Sequence, residues 1–449
     1  MPGCVKGYSR KIGLVCSAIS YSWKKGTTAT PTDCGEILVV PAEICYNTCI
    51  VSIRMEAAER MTEKRKTFWK KFLGSAGILT AFLLIGFFCG TIMGNFLSSL
   101  DNLSTGELFC ILFLFLGGLY LSVFLQIAAH EWGHYLFGRI TGYRFASFRL
   151  GSFILLRVDG KLRLKRFSLA GTGGQCLMDP PPMTDGKFPY VLYNLGGSIV
   201  NFVLGLAACL AAFLPGCPVV VSCLLFVFAV IGIAFALLNG IPMQAGMVNN
   251  DGYNALALGK SGEALRSFWI QMKGNVLTGC GVRIRDMPEE WFVMPEEDGL
   301  QNTMTAVLAV LACNRKMDEG RLEEADLLME KLLAGKNAVT ELHRRLLVCD
   351  RIFCLLYHDR TAEATALYDR EQQKFMKTMK QFPSVMRTEY ALALLAEQDP
   401  AKAAKIQERF GKQEKIYPYP VEFQAEREFM ALAAQKGADI PCAPAENKV

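Results

Sequence analysis

His130-Glu131-Trp132-Gly133-His134 has the residue types and spacing to hold a metal ion and activate water. On a helix, side chains four positions apart leave the same face, so both imidazoles can reach one zinc ion, with Glu131 beside them as a candidate general base. In that chemistry zinc brings the pKa of its water towards neutrality, a carboxylate takes the proton, and a peptide carbonyl is attacked. A catalytic zinc takes three protein ligands. The chain has four histidines, and His343 and His358 fall in a charged C-terminal third, so a carboxylate is expected as the third ligand. Asp251, in Asn249-Asn250-Asp251-Gly252, is the best placed, ahead of Asp159, Asp179, Asp185 and Glu263. Asn-Asp-Gly is also a common turn sequence, so an ordinary turn carboxylate stands as the other reading of Asp251.

The motif must be positioned by a greasy scaffold. The chain has 449 residues, 51% of them hydrophobic, with a net charge of +6. Apolar stretches at 72–97, 108–129, 189–214 and 219–239 are each long enough to cross a hydrocarbon layer. Lys64, Arg65, Lys66, Lys70 and Lys71 precede the first, the connection 98–107 has no Lys or Arg, the connection 139–187 has nine, and 215–218 is uncharged. By the positive-inside rule both termini are then cytoplasmic, and the HExxH motif sits at the inner end of the second span, on the same side as Asp251. A multi-pass protein of the cell membrane, with a bacterial plasma membrane in view, is the expectation. The basic residues cluster beside apolar segments, so the lipid bilayer, and no nucleic acid, is the expected partner. The 16 cysteines are scattered, several within apolar runs and none as CxxC, which points to reduced thiols.

Around this core the chain divides into 1–60, 61–260 with the membrane spans, a linker at 261–300, a cytoplasmic helical domain at 301–436 and a disordered tail at 437–449. Lys6, Arg10 and Lys11 before a short apolar run imitate a signal peptide without a convincing cleavage site. Translation from Met55 or Met61 is expected instead, leaving 1–60 as an extension without a fold. Residues 143–156 and 161–169 alternate apolar and basic side chains about Val158-Asp159-Gly160, which predicts a small amphipathic β-hairpin insert on the cytoplasmic side; a basic loop lying on anionic lipid is the other reading. Gly171-Thr172-Gly173-Gly174 lacks the Lys-Ser/Thr of a phosphate loop and reads as a flexible hinge. From about 301 the pattern is amphipathic helix, and Ala325, Ala364 and Ala403 recur at intervals of 39 residues. Stacked helical hairpins resembling tetratricopeptide repeats, which bind a peptide or protein partner, fit that spacing, with an irregular helical bundle as the alternative.

In this order, the motifs resemble those of the site-2 protease family of intramembrane zinc metalloproteases. That family carries HExxH on one helix, a small-residue and asparagine motif on a later helix, and Asn-x-x-Pro…Asp-Gly after a third. Gly196-Gly197-Ser198-Ile199-Val200-Asn201 resembles the second, and Asn239-Gly240-Ile241-Pro242 with Asp251-Gly252 resembles the third. The likeness covers about 108–255. The stretch 243–250 is longer than the family's gap, and Asn250 replaces its usual leucine. The resemblance implies Zn2+ on His130, His134 and Asp251, Glu131 as catalytic base, and cleavage of a membrane-protein substrate near the cytoplasmic face. A substrate helix must unwind to be cut, and an exposed sheet edge could hold it extended. Asn201 and Asn239, costly as unpaired amides in lipid, are candidates for substrate binding or oxyanion stabilisation, or for joining helices. A membrane adaptor that lost activity, acting through its helical domain, and a metal transporter are the competing functions.

Overall fold

Ser104 opens the longest helix of the computed structural model. Its hydroxyl accepts from the Glu107 N–H at 3.3 Å while the Glu107 carboxylate accepts from the Ser104 N–H at 2.8 Å, a reciprocal cap that satisfies two otherwise open donors. Helix α1 then runs Thr105–Ile140. Gly142, at φ 89°, turns the chain out of it. Helices α2, Val191–Ala212, and α3, Val219–Gly240, follow the sheet described below. All three are long and apolar enough to cross a membrane, and α1 presents an outward belt including Phe113, Leu116 and Tyr120, the surface a lipid-facing helix requires. They match the second, third and fourth expected spans. The structure describes residues 104–438 apart from 159–160, 168–172 and 246–247, with scattered helical positions between 80 and 98. The expected extension 1–60, most of the first span at 72–97, and the expected tail from 439 onward lie outside the described residues. Contacts group the chain into Met1–Leu84 and Ile85–Val449, and every element named here belongs to the second group.

Between α1 and α2 lies a four-stranded antiparallel sheet of β1, Arg144–Leu150, β2, Phe153–Val158, β3, Lys161–Arg166, and β4, Gly174–Asp179, in the order β3-β2-β1-β4. The hairpin expected about 158–160 is β2–β3, paired from Val158 with Lys161 to Phe153 with Arg166. The alternating stretch before it is two strands, because Gly151, at φ 57°, reverses the chain between them. The glycine run expected as a hinge leads directly into β4, which pairs along β1. Tyr143, Cys176, Met178, Phe188, Tyr193 and Leu265 form the small core beneath the sheet.

After α3 come the two-residue strands β5, Gln244–Ala245, and β6, Val248–Asn249, then α4, Asp251–Ala257, and α5, Gly262–Gly279. The segment expected as a linker therefore contains α5, which is fastened to the sheet region. Lys273 pairs with Asp179, and the Trp269 indole donates to the Pro181 carbonyl at 2.8 Å. The remaining chain is helical: α6, Thr303–Asp318, α7, Leu322–Ala334, α8, Glu341–Tyr357, α9, Thr361–Leu367, α10, Arg370–Thr378, α11, Pro383–Ala391, α12, Pro400–Ile416, and α13, Pro420–Ala438. Ala325, Ala364 and Ala403 are all buried, each in the first turn or two of α7, α9 and α12. Just before those helices Gly320, Asp359 and Gln398 adopt φ of 76°, 61° and 52°, so the left-handed turn recurs at the same spacing as the alanines. This helical region touches the sheet through its Tyr417–Tyr419 corner. Lys165 Nζ donates to the Tyr417 carbonyl at 3.1 Å, and Phe167 meets the Tyr417 and Tyr419 rings edge-on.

Candidate metal centre

His130 and His134 lie one turn apart on α1, and their Nε2 atoms approach to 3.1 Å. Asp251 Oδ2 lies 3.0 Å from the first and 3.4 Å from the second, and the three ligand atoms all fall within 4.8 Å of one another. Among the described residues this is the one His/Cys/Asp/Glu group with metal-binding geometry. Asp179 pairs with Lys273, Asp185 sits in a left-handed turn and Glu263 opens α5, so none joins it. Asp159 lies outside the described residues.

Asp251 arrives there despite the long stretch before it. The surplus residues fold out as the β5–β6 hairpin, and Asn250 ties its base. Asn250 Oδ1 accepts from the N–H groups of Met243, at 3.0 Å, and Tyr253, at 2.9 Å, while its Nδ2 donates to the carbonyls of Leu238 and Ile241 at 2.7 and 2.6 Å. The side chain thus caps α4 and stitches it to the end of α3, leaving Asp251 as the first residue of α4.

The outer ring nitrogens are equally committed. His134 Nδ1 lies 2.8 Å from the Tyr193 carbonyl, an acceptor only, so that nitrogen carries the proton. His130 Nδ1 lies 2.8 Å from Asn201 Oδ1. The Asn201 amide is oriented by its Nδ2, which donates to Gln126 O and Oε1 at 2.8 and 2.7 Å, and Gln126 Nε2 donates in turn to the Phe228 carbonyl at 3.2 Å. A chain of donors across three helices therefore assigns the proton of His130 to Nδ1. Two Nε2 lone pairs and a carboxylate oxygen are left converging, an arrangement that repels itself unless a cation joins it. A divalent metal that favours nitrogen and oxygen ligands fits this donor set, with the supporting hydrogen bonds such ligands require.

Close backbone approach makes the geometry possible. A methyl group on Gly133 would lie 2.3 Å from the Gly196 carbonyl oxygen, and one on Gly197 would lie 2.5 to 2.7 Å from the His130 ring. The glycines of α2 therefore let it pack directly against the motif face of α1.

Glu131 points to the sheet. Its carboxylate lies close against β4, where a methyl group on Gly174 would fall 2.6 Å from Glu131 Cγ and Oε1. Arg149 fixes that wall, donating to the Gly151 and Gly174 carbonyls at 3.1 and 3.0 Å. The glycine run expected as a flexible hinge thus supplies the surface behind the candidate base.

Of the expected residues, His130, Glu131, His134 and Asp251 come together. Asn201 is fully buried with both amide hydrogens on Gln126 and its oxygen on His130, so it faces the histidine and has no donor left for a substrate carbonyl. Asn239 stands at the C-terminal end of α3, its Nδ2 on the Phe235 carbonyl at 3.0 Å. Gln126, Tyr193 and Gly174 were not foreseen. Gln126 carried a signal, since an amide inside an apolar span is costly unless it has a task. Comparison with protein-family models, with characterised proteins and with solved structures gives no match.

Proposed function

We propose that this chain is an intramembrane zinc endopeptidase resembling the site-2 proteases, which hydrolyses a peptide bond of a membrane-protein substrate near the cytoplasmic face. One observation carries the proposal: His130 Nε2, His134 Nε2 and Asp251 Oδ2 converge beside Glu131 while both Nδ1 atoms are committed elsewhere. A zinc ion held there supplies a Lewis acid for a peptide carbonyl and a water of near-neutral pKa. Beside those ligands Glu131 would serve as the general base, taking a proton from the attacking water and returning it to the leaving amine. Asn201 and Gln126 keep the His130 ring in one tautomer and one orientation. Asn239 is the amide at the inner end of α3 with a hydrogen left for a substrate strand.

The length of α1 supports the depth of the site. Its 36 residues rise about 54 Å, nearly twice the hydrocarbon thickness. His130 lies about 33 Å beyond Leu108, so a layer beginning near Leu108 ends close to the motif. Four spans with both termini in the cytoplasm complete this reading, and the recurrence of turns and alanines at 39 residues supports helical repeats that recruit a substrate or regulator.

The test uses the full chain in detergent, as wild type, Glu131→Gln and Asp251→Ala, with zinc measured by elemental analysis and cleavage of a model membrane protein followed by gel. Wild type should hold zinc and cut. Glu131→Gln should hold zinc and not cut, and Asp251→Ala should lose both. Equal zinc in all three removes Asp251 as a ligand. Zinc-loaded wild type that cuts none of a panel of substrates favours the adaptor.

A further inference from the structure

A cavity of about 340 Å³ opens among α6, α8, α11 and α13, a size that suits a few residues of a peptide. Its charged lining is uneven. Asp318, Asp350, Glu422 and Glu426 face it with the guanidinium groups of Arg283 and Arg387. Both guanidinium groups are already matched. Arg387 is held by Asp350 and, at 2.8 Å, by Glu426; Arg283 is held by Asp318 at 3.1 Å and by Glu428. Glu422 is the remainder. Its Oε2 accepts from the neutral Tyr417 hydroxyl at 3.0 Å, and among the described residues no Lys, Arg or His comes within ion-pair distance of it. Burial beside Glu426 raises its carboxyl to about 7, the behaviour of an acid that lacks a counter-charge.

We propose that this cavity binds a Lys- or Arg-bearing peptide segment, the cytoplasmic flank of the membrane-protein substrate, with the cationic side chain against Glu422. Charge selects the occupant: the lining carries two more carboxylates than guanidinium groups, and a cation entering it meets Glu422 with Glu426 behind. The cytoplasmic flanks of membrane spans are where Lys and Arg accumulate. The path fits as well. Phe382 lines this cavity and also a second hollow formed with Ser152, Phe167 and Tyr417 at the sheet. A peptide leaving the cavity past Phe382 therefore meets the sheet whose β4 backs Glu131. That the peptide is a substrate flank rests on the protease reading; the binding itself does not.

The test measures fluorescence anisotropy of a labelled twelve-residue peptide carrying two lysines, with the full chain in detergent at low salt. A Lys→Gln version of the peptide and the Glu422→Gln protein, which keeps an acceptor for Tyr417, should each bind about tenfold more weakly, while Glu408→Gln on the exposed face of α12 should bind as wild type. Charge-blind binding, or equal binding by Glu422→Gln, overturns the proposal. Spermidine that displaces the peptide at equal concentration overturns the peptide as occupant. On a cleaved substrate, Lys→Gln in the flank should raise KM with kcat unchanged, and an unchanged KM refutes the flank. Charge-dependent binding without any cleavage would leave the cavity assignment standing and count against the protease alone.

Discussion

The Nδ1 atom of His130 lies 2.8 Å from Oδ1 of Asn201, 71 residues further along the chain. That contact joins α1 to α2 at the candidate metal centre, and Gln126 continues it to the Phe228 carbonyl on α3. The three apolar helices are thus packed together at the atom that decides which nitrogen of His130 stays free for a metal.

Replacing Asn201 with Ala should weaken zinc binding by about 10- to 100-fold, the usual effect of removing a group that orients a ligand. Gln126→Leu should act in the same direction with smaller effect, because Asn201 would keep the Gln126 backbone carbonyl as an acceptor. Competition with a chelator of known affinity measures both, and unchanged affinity in Asn201→Ala would remove its positioning role.

Gly197→Ala should lower the thermal midpoint and the zinc content together. The added methyl meets the His130 ring at 2.5 to 2.7 Å, and overpacking of this kind costs about 1 to 3 kcal/mol. Full zinc occupancy at an unchanged melting temperature would mean that α2 can withdraw without disturbing the site.

The Glu422 carboxyl is raised from 4.5 to about 7 in the folded protein, so the folded state binds its proton more tightly than the unfolded one. The resulting cost to stability is absent below about pH 4.5, grows between the two values and is complete above about pH 7. Tyr417 and Glu426 face it directly, with Asp318, Asp350, His343, Arg283 and Arg387 around the cavity. Glu422→Gln should therefore stabilise the protein by roughly 1 to 3 kcal/mol at pH 8 and far less at pH 5. Thermal melts at both values decide it, and an equal gain at both would assign the effect to packing.

Arg387→Met should be severely destabilising. The guanidinium is buried between Asp350 and Glu426 and lies over the Phe353 ring, 4.7 Å from its centroid. Leaving two buried carboxylates without their cation costs about 3 to 5 kcal/mol. Adding Asp350→Asn and Glu426→Gln should restore much of the helical signal lost on heating. A single mutant that melts like wild type would place that cation in water.

Much of this was legible in the sequence, for physical reasons that differ by region. Span length located α1, α2 and α3, since hydrocarbon thickness sets how many apolar residues a crossing helix needs. Ala325, Ala364 and Ala403 announced where second helices begin because a buried first turn needs a small residue. The pattern failed where tertiary contact decides the outcome. Gly173 and Gly174 look like loop residues, and only the approach of Ile127 to the first and of Glu131 to the second shows why neither carries a side chain. Helix α5 reads as polar connection because two of its five buried residues, Ala264 and Ser267, are small, and only Leu265, Ile270 and Met272 carry an apolar signal. Asn201 is conspicuous as an amide in an apolar helix, but its bonds go to His130 and Gln126, and a pairing between two different helices leaves no local pattern in the sequence.

The Asn250 side chain ties the two ends of the β5–β6 hairpin through the Met243 N–H and fastens them to α3 through Leu238 and Ile241 and to α4 through Tyr253. Residues inserted or deleted between those two ends should leave the carboxylate of Asp251 where it is. Counting residues from Pro242 to Asp251 is therefore no gauge of whether this carboxylate can reach the two histidines; the presence of a side chain able to tie the knot is.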